Sequence, residues 1–416
     1  MPSHSRSASG APAGVVAALV LVSLALRPQL AGIGPLSGRI IDNLGVSHAF
    51  VGLLTTIPIL CMGLFAPIGP ALASKAGARG AIAVASGTVA LAGLARAVAP
   101  GELTILALTL VIGIATAASG PLLAMFVRGN LHEHRVAGTA AYAGGTTLGA
   151  ALAAGAVVPL AMALGGWRAS MGVVSAASLV GALAWLALVF RGQRPGSGAV
   201  EADDAADGQR PALSGRLSLP IRRPVVWALG VLFGVQSAVF YGTNAWLPAL
   251  FVERGWDPES AAALLSLSSF AGLASILVAP VASRRGVERR QLLVTAASAA
   301  ALGIAGVVAL PGFAWVWSIT LGAGLGLMFT VVLTLPTDVA ADAREAGGAS
   351  ALMLLVGYLI ASAAPFVLGA VRDATGSFAV SLWLLLALAV SMVPLSWLMS
   401  PTRLRPRVVA LPESVA

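Results

Sequence analysis

Long apolar runs alternate with short polar breaks along almost the whole chain. Twelve such runs are long enough to cross a bilayer, since about 20 apolar residues at 1.5 Å each traverse roughly 30 Å of hydrocarbon. In the first half they cover roughly 13–36, 48–70, 80–99, 103–127, 137–163 and 168–190. In the second half they cover roughly 224–250, 259–282, 291–310, 312–336, 347–370 and 378–399. Between the halves, 191–223 is polar and turn-rich and reads as a flexible linker. The pattern predicts an all-α membrane protein: a tail at 1–12, a six-helix unit at 13–190, the linker, a second six-helix unit at 224–399 and a tail at 400–416.

The halves repeat. A shift of 210 residues aligns Gly45 with Gly255, Pro70 with Pro280, Arg79 with Arg289, Gly138 with Gly348 and Gly166 with Gly376. It also aligns Ser47 with Asp257, each suited to cap the helix that follows. Six helices repeated in one orientation imply two units related by an axis along the membrane normal, with a binding site between them near the midplane.

Composition supports this class: 58% of the residues are hydrophobic and only 10% charged. The net charge of +9 would suit nucleic acid, but the basic residues sit in short loops, as membrane topology requires. With the N-terminus inside, nineteen of the 25 Lys and Arg fall on the cytoplasmic side, five (Arg39, Arg96, Arg168, Arg254, Arg372) fall outside, and Arg27 lies in the membrane. That bias predicts cytoplasmic termini. Abundant Ala, Gly and Arg suggest a bacterial source, hence the inner membrane. Cys61 is the lone cysteine, so no internal disulfide or cysteine metal site is available. No metal and no cofactor is expected; His132-Glu133-His134 is a short loop cluster, not a ligand set.

Arg27 is the most informative residue. It stands deep in the first span, and a charge there costs at least about 2.5–3.5 kcal/mol on insertion scales, so it faces a wet cavity or bundle interior. Pro28 follows and predicts a kink. The repeat sets Arg27 level with Ser237, beside Gln236, which can share a ligand with it or serve as an interhelical contact. Tyr142, Tyr241 and Tyr358 are the only tyrosines. Tyr358, well inside its span, is expected to face inward, whereas Tyr142 suits a belt or a site equally. Asn244 and Trp246 approach the outer end of span seven, where Trp246 reads as a belt residue or a gate. Arg128 serves topology or an inner-gate ion pair, and Asp373 reads as a turn or cap before the last span. No Asp, Glu or His lies near the middle of a span, so a buried-carboxylate proton relay has no obvious carrier; coupling to protons stays open beside uniport.

The loop PALASKAGAR (70–79) resembles a loop motif of the major facilitator superfamily at Lys75, Gly77 and Arg79, with Ser74 in place of the acid; PVASRRGVERR repeats it. It implies a latch between half-bundles, against plain positive-inside topology. LRPQLAGIGPL, GLLTTIPILCMGLFAPIGPALA, GGWR, QSAVFYGTNAWLP and GYLIASAAPFVLGAVRDATGSF resemble the cyanate and 2-nitroimidazole permeases, the CynX/NimT branch of that superfamily. Leu354 and Leu355 depart from it, standing where the family pattern carries a glutamine. The resemblance implies a monomeric permease in the lipid bilayer. It moves a small-molecule substrate, either a small anion or a nitro- or carboxylate-like compound, by alternating access. Drug efflux is the alternative within transport, and a ligand-binding sensor a further one. Catalytic motifs such as HExxH and GxSxG are absent, which argues against an enzyme.

Overall fold

The break expected at Pro28 divides the first span. In the computed structural model, which describes residues 13–131, 134–190, 221 and 223–399, α1 (Ala13–Leu26) stops at Arg27 and the single turn α2 (Pro28–Ala31) starts with Pro28 in its first turn. Arg27 is the hinge between them, and its carbonyl accepts the amides of Leu30 and Ala31. A short α3 (Ser37–Leu44) leads to α4 (His48–Leu64), α5 (Ile68–Ala97), α6 (Glu102–Asn130), α7 (Arg135–Ala163) and α8 (Trp167–Phe190). The second set comprises α9 (Pro224–Glu253), α10 (Pro258–Ser275) with α11 (Val278–Arg284), α12 (Arg289–Ala309), α13 (Ala314–Val332) with α14 (Leu335–Val339), α15 (Ala343–Thr375) and α16 (Ala379–Leu398).

Among the described residues, eleven spans are long and apolar enough to cross a membrane, and α4, an apolar helix of 17 residues, stands second among them. The protein is a multi-pass membrane protein of twelve helical spans. One boundary differs from the expectation. Residues 70–79 are not a loop: α5 begins at Ile68 and runs past them, bent at Gly77, whose φ is 67°. Pro70 sits in the first turn, where its missing N–H has no helical partner to lose. The N-tail, residues 191–220 of the linker, His132-Glu133 and the C-tail lie outside the described residues.

The repeat is visible in the backbone. Ser47 and Asp257 both cap, accepting the amides of Phe50 and Ser260. Gly77 and Gly286 both take positive φ in the two copies of the loop motif. Ser170 donates to the Val157 carbonyl at 2.7 Å, and Ser381 to the Leu368 carbonyl at 2.8 Å. The two sets meet along two seams, α4 against α15 and α7 against α10. Hydrogen bonds that cross between them include Arg27 to Tyr241, Thr56 to the Ser362 carbonyl, Ser266 to the Ala151 carbonyl and those of His48 and Ala49 to Asp373. They lie in the middle of the molecule or toward the end that carries His48, away from the end that carries Lys75.

Candidate substrate site

Arg27 projects from the α1–α2 break across the interface and donates from one terminal nitrogen to the Tyr241 hydroxyl on α9 at 3.4 Å. Such a distance is at the long limit for a hydrogen bond and leaves the guanidinium able to take a better acceptor. Tyr358 on α15 also interacts with Arg27. Its ring packs edge-on against Phe233 at 5.2 Å. The Tyr241 hydroxyl lies 3.9 Å from the Met62 sulfur, a weak acceptor. Arg27 is half-buried and lines a cavity together with Thr55 and Ile59 of α4, Ala150 of α7, and Phe240, Tyr241 and Asn244 of α9. The residues that line it include no carboxylate and no imidazole. A cation in a mostly apolar cavity, met by phenols, is arranged to attract a negative or electron-rich group.

Helix geometry explains which residues reach the cavity. Tyr241 and Asn244 are three apart on α9 and share a face with Phe240. Gln236 does not. Its amide nitrogen donates to the Leu325 carbonyl at 3.3 Å, and its oxygen accepts from Ser237 at 3.1 Å. It is buried within the second set as an interhelical contact and does not line the cavity. Trp246 lies outside the cavity as well. Its indole N–H donates to the Pro365 carbonyl at 2.8 Å, and its ring packs near His48 and Phe378. A buried, internally bonded indole is no belt residue; it borders a separate, small apolar space with Leu250, Val307 and Phe378. Tyr142 lies in the first set near Arg128 and does not line the cavity.

The polar residues at the two ends also sort by structure. Asp373 caps no part of the last span. Its carboxylate accepts the amides of His48 at 3.1 Å and Ala49 at 2.8 Å and meets the His48 ring at 2.7 Å. It therefore caps α4 of the opposite set, where unpaired N–H groups and the helix dipole favour an anion. Glu253 takes the cap before α16 instead, accepting the Phe378 amide. At the other end, Arg79 donates to Asn130 at 2.8 Å, Lys75 is exposed, and Arg128 has no ion pair among the described residues. In the second copy of the motif Arg289 pairs with Asp338.

Site features that escaped sequence reasoning include Thr55, Met62, Phe240 and the Asp373–His48 pair. Thr55 stands in the apolar block LLTTIP, and its hydroxyl is the visible signal.

The family model of the Major Facilitator Superfamily matches residues 19–365. The chain belongs to this superfamily. It is a transporter, and a small-molecule substrate and the bilayer are its partners. Among curated proteins it is 28% identical to the 2-nitroimidazole transporter of Escherichia coli (strain K12) over 374 residues, 88% of this chain and 90% of that one. It is 27% identical to the cyanate transport protein CynX of the same organism over 380 residues, 89% and 93% of the two chains. The fold matches the crystal structure of a D-xylose-proton symporter with a TM-score of 0.77 at 14% identity, covering 95% of this chain and all of that one. It matches the nucleoside transporter NupG (D323A mutant) with a TM-score of 0.69 at 15% identity, covering 92% and 99%.

Proposed function

We propose that this transporter carries a small anion, or a compound that presents a carboxylate-like or nitro group, with Arg27 as its fixed charge. The observation that carries the reading is the Arg27 guanidinium at the interface of the two sets, facing a cavity whose lining holds no carboxylate. Arginine stays charged and offers five donors in a planar fork that suits two oxygens on one atom. Tyr241, Tyr358 and Asn244 supply neutral hydrogen-bonding groups, and Thr55 a further hydroxyl. The relatives named for cyanate and 2-nitroimidazole support a ligand of this size.

Residues 13–190 and 224–399 act as the two moving units, joined by 191–223, and rock about Arg27 and Tyr241. The excess of Lys and Arg at the Lys75 end supports cytoplasmic termini in a bacterial inner membrane and puts the His48 end outside. On that orientation the Asp373–His48 pair and the seams around it close the outer side, and the cavity is served from the cytoplasm. A ligand that binds Arg27 better in the occluded state than in the open one speeds switching, because only differential affinity shifts populations. Lys75, Arg79 and Arg128 act as latches when the inner side closes. A second reading, a neutral planar heterocycle, is favoured by the Phe240–Tyr241 ring pair at 5.1 Å, both of which line the cavity.

Counterflow in proteoliposomes tests the assignment, using nitrate, cyanate, acetate and 2-nitroimidazole. Exchange of at least one anion is expected. Exchange of 2-nitroimidazole alone, insensitive to all three anions and undiminished in Arg27→Gln, contradicts the Arg27 reading and favours the heterocycle.

A further inference from the structure

The first set holds another buried cation that substrate binding leaves unused. Arg96, in the last turn of α5, is 2% exposed. One terminal nitrogen donates to the backbone oxygen of Gln29 at 3.1 Å and to its side-chain oxygen at 3.0 Å; the other donates to Thr109 at 3.3 Å. The Gln29 amide nitrogen donates to Ser175 at 2.8 Å. Both hydroxyls donate onward, Thr109 to the Ile105 carbonyl and Ser175 to the Met171 carbonyl. Gly93, one turn before Arg96, makes the room. A Cβ there would fall 2.8 Å from the Gln29 nitrogen and 2.7 Å from the Ser175 hydroxyl. Side chains of α5 and α8 thus meet one residue of α2, with α6 holding the other end of the guanidinium, and no carboxylate joins them among the described residues.

Gln29 belongs to the single turn that follows the break at Arg27. Residues two apart in a helical turn point about 200° apart, so Gln29 enters the first set while Arg27 faces α9. A four-residue turn that begins with proline has few hydrogen bonds of its own, and its direction comes from tertiary contacts. Bonds from a guanidinium are among the stronger ones available, and Arg96 grips both the backbone and the side chain of Gln29.

We propose that Arg96 is a positioning residue for Arg27: through Gln29 it fixes the turn α2 so that Arg27 is held toward Tyr241. Arg96 does not touch the ligand. This rests on Arg27 being the substrate's charge partner.

The test measures dissociation constants of nitrate, cyanate, acetate and 2-nitroimidazole for the purified full-length protein by calorimetry. Arg96→Gln and Gly93→Ala disturb the same contact by different routes, and each is expected to weaken anion binding about tenfold, as misplacement of a binding group does. Phe126→Leu loosens the Phe126–Trp185 contact of the same set without reaching Gln29, and is expected to lower the melting temperature with affinity changed less than about twofold. In an Arg27→Lys background a flexible ammonium does not depend on a fixed direction, so Arg96→Gln is expected to add less than about twofold. Equal losses in the two backgrounds overturn positioning. Unchanged affinity in Arg96→Gln and Gly93→Ala, with loss in Arg27→Gln, overturns it while leaving the Arg27 reading intact. Arg27→Gln binding like wild type, or wild type binding neither these three anions nor 2-nitroimidazole, overturns that reading and the proposal with it. If Arg96→Gln does not fold, Gly93→Ala decides, alone and in the Arg27→Lys background.

Discussion

The two halves share a scaffold and differ in what fills it. The first half buries Arg96, Gln29, Thr109 and Ser175 as one polar network behind Arg27. At the same offset of 210 the second half has Gly306, Val239, Ile319 and Leu385. Gly306 leaves a gap that the Trp317 indole fills, so closely that a Cβ at Gly306 would lie 2.0 Å from the ring. Val239 and Leu385 are buried core residues. One half therefore carries the charge and the polar network that surrounds its hinge, while the other offers phenols and an amide from an apolar core. Helix packing tolerates either filling provided that volume is conserved and every buried polar group is paired. The difference concentrates positive potential on one wall of the cavity, and a transporter built from two like halves gains an asymmetric site.

The sharpest way to break this comparison is to move the charge. Ser237 occupies the position of Arg27 in the second half, but it is buried and bonded to Gln236. Ser237→Arg is expected to cost about 3–5 kcal/mol, the penalty of a buried charge without its partner, and to abolish folded protein in size-exclusion chromatography. Arg27→Gln with Ser237→Arg is expected to show the same loss and no recovered anion binding. A smaller effect is expected at Gly306→Ala, where Trp317 must shift; overpacking of this kind costs about 1–3 kcal/mol. It should lower the melting temperature while leaving anion affinity unchanged, because the second half carries no positioning network.

The smallest effect separates the two equivalent caps. The amide of Ser260 holds the Asp257 carboxyl below the usual carboxylate range. A depressed folded value means that the contribution is present above the unfolded value and is lost as pH falls through the folded one. The melting temperature of Asp257→Asn should therefore fall less than that of wild type on acidification through the carboxylate range. Ser47→Ala should shift it by a pH-independent amount.

Local signals were legible in the sequence. Pro28 after a buried arginine marked the hinge, and the spacing of Gly, Pro and cap residues marked the repeat. The direction of side chains was not legible, because spans that are apolar all round carry no face-defining period. Gln236 and Tyr241 are five apart on one helix, yet only Tyr241 reaches the cavity. Trp246 and Asp373 were read from their closeness to span ends, whereas partners distant in sequence, Pro365 and His48, set their roles. In the sequence Arg96 reads as a loop charge because it stands one residue from the end of its helix; its partner Gln29 is 67 residues away.

The most direct test of the central claim is the thermal shift produced by nitrate, cyanate and acetate on wild type and Arg27→Gln in detergent. A stabilisation in wild type that vanishes in Arg27→Gln is predicted, since a charged partner contributes about 1.5–3 kcal/mol, or roughly 10- to 150-fold in affinity. Equal stabilisation of both proteins by the anions would contradict the account and make Arg27 a structural residue.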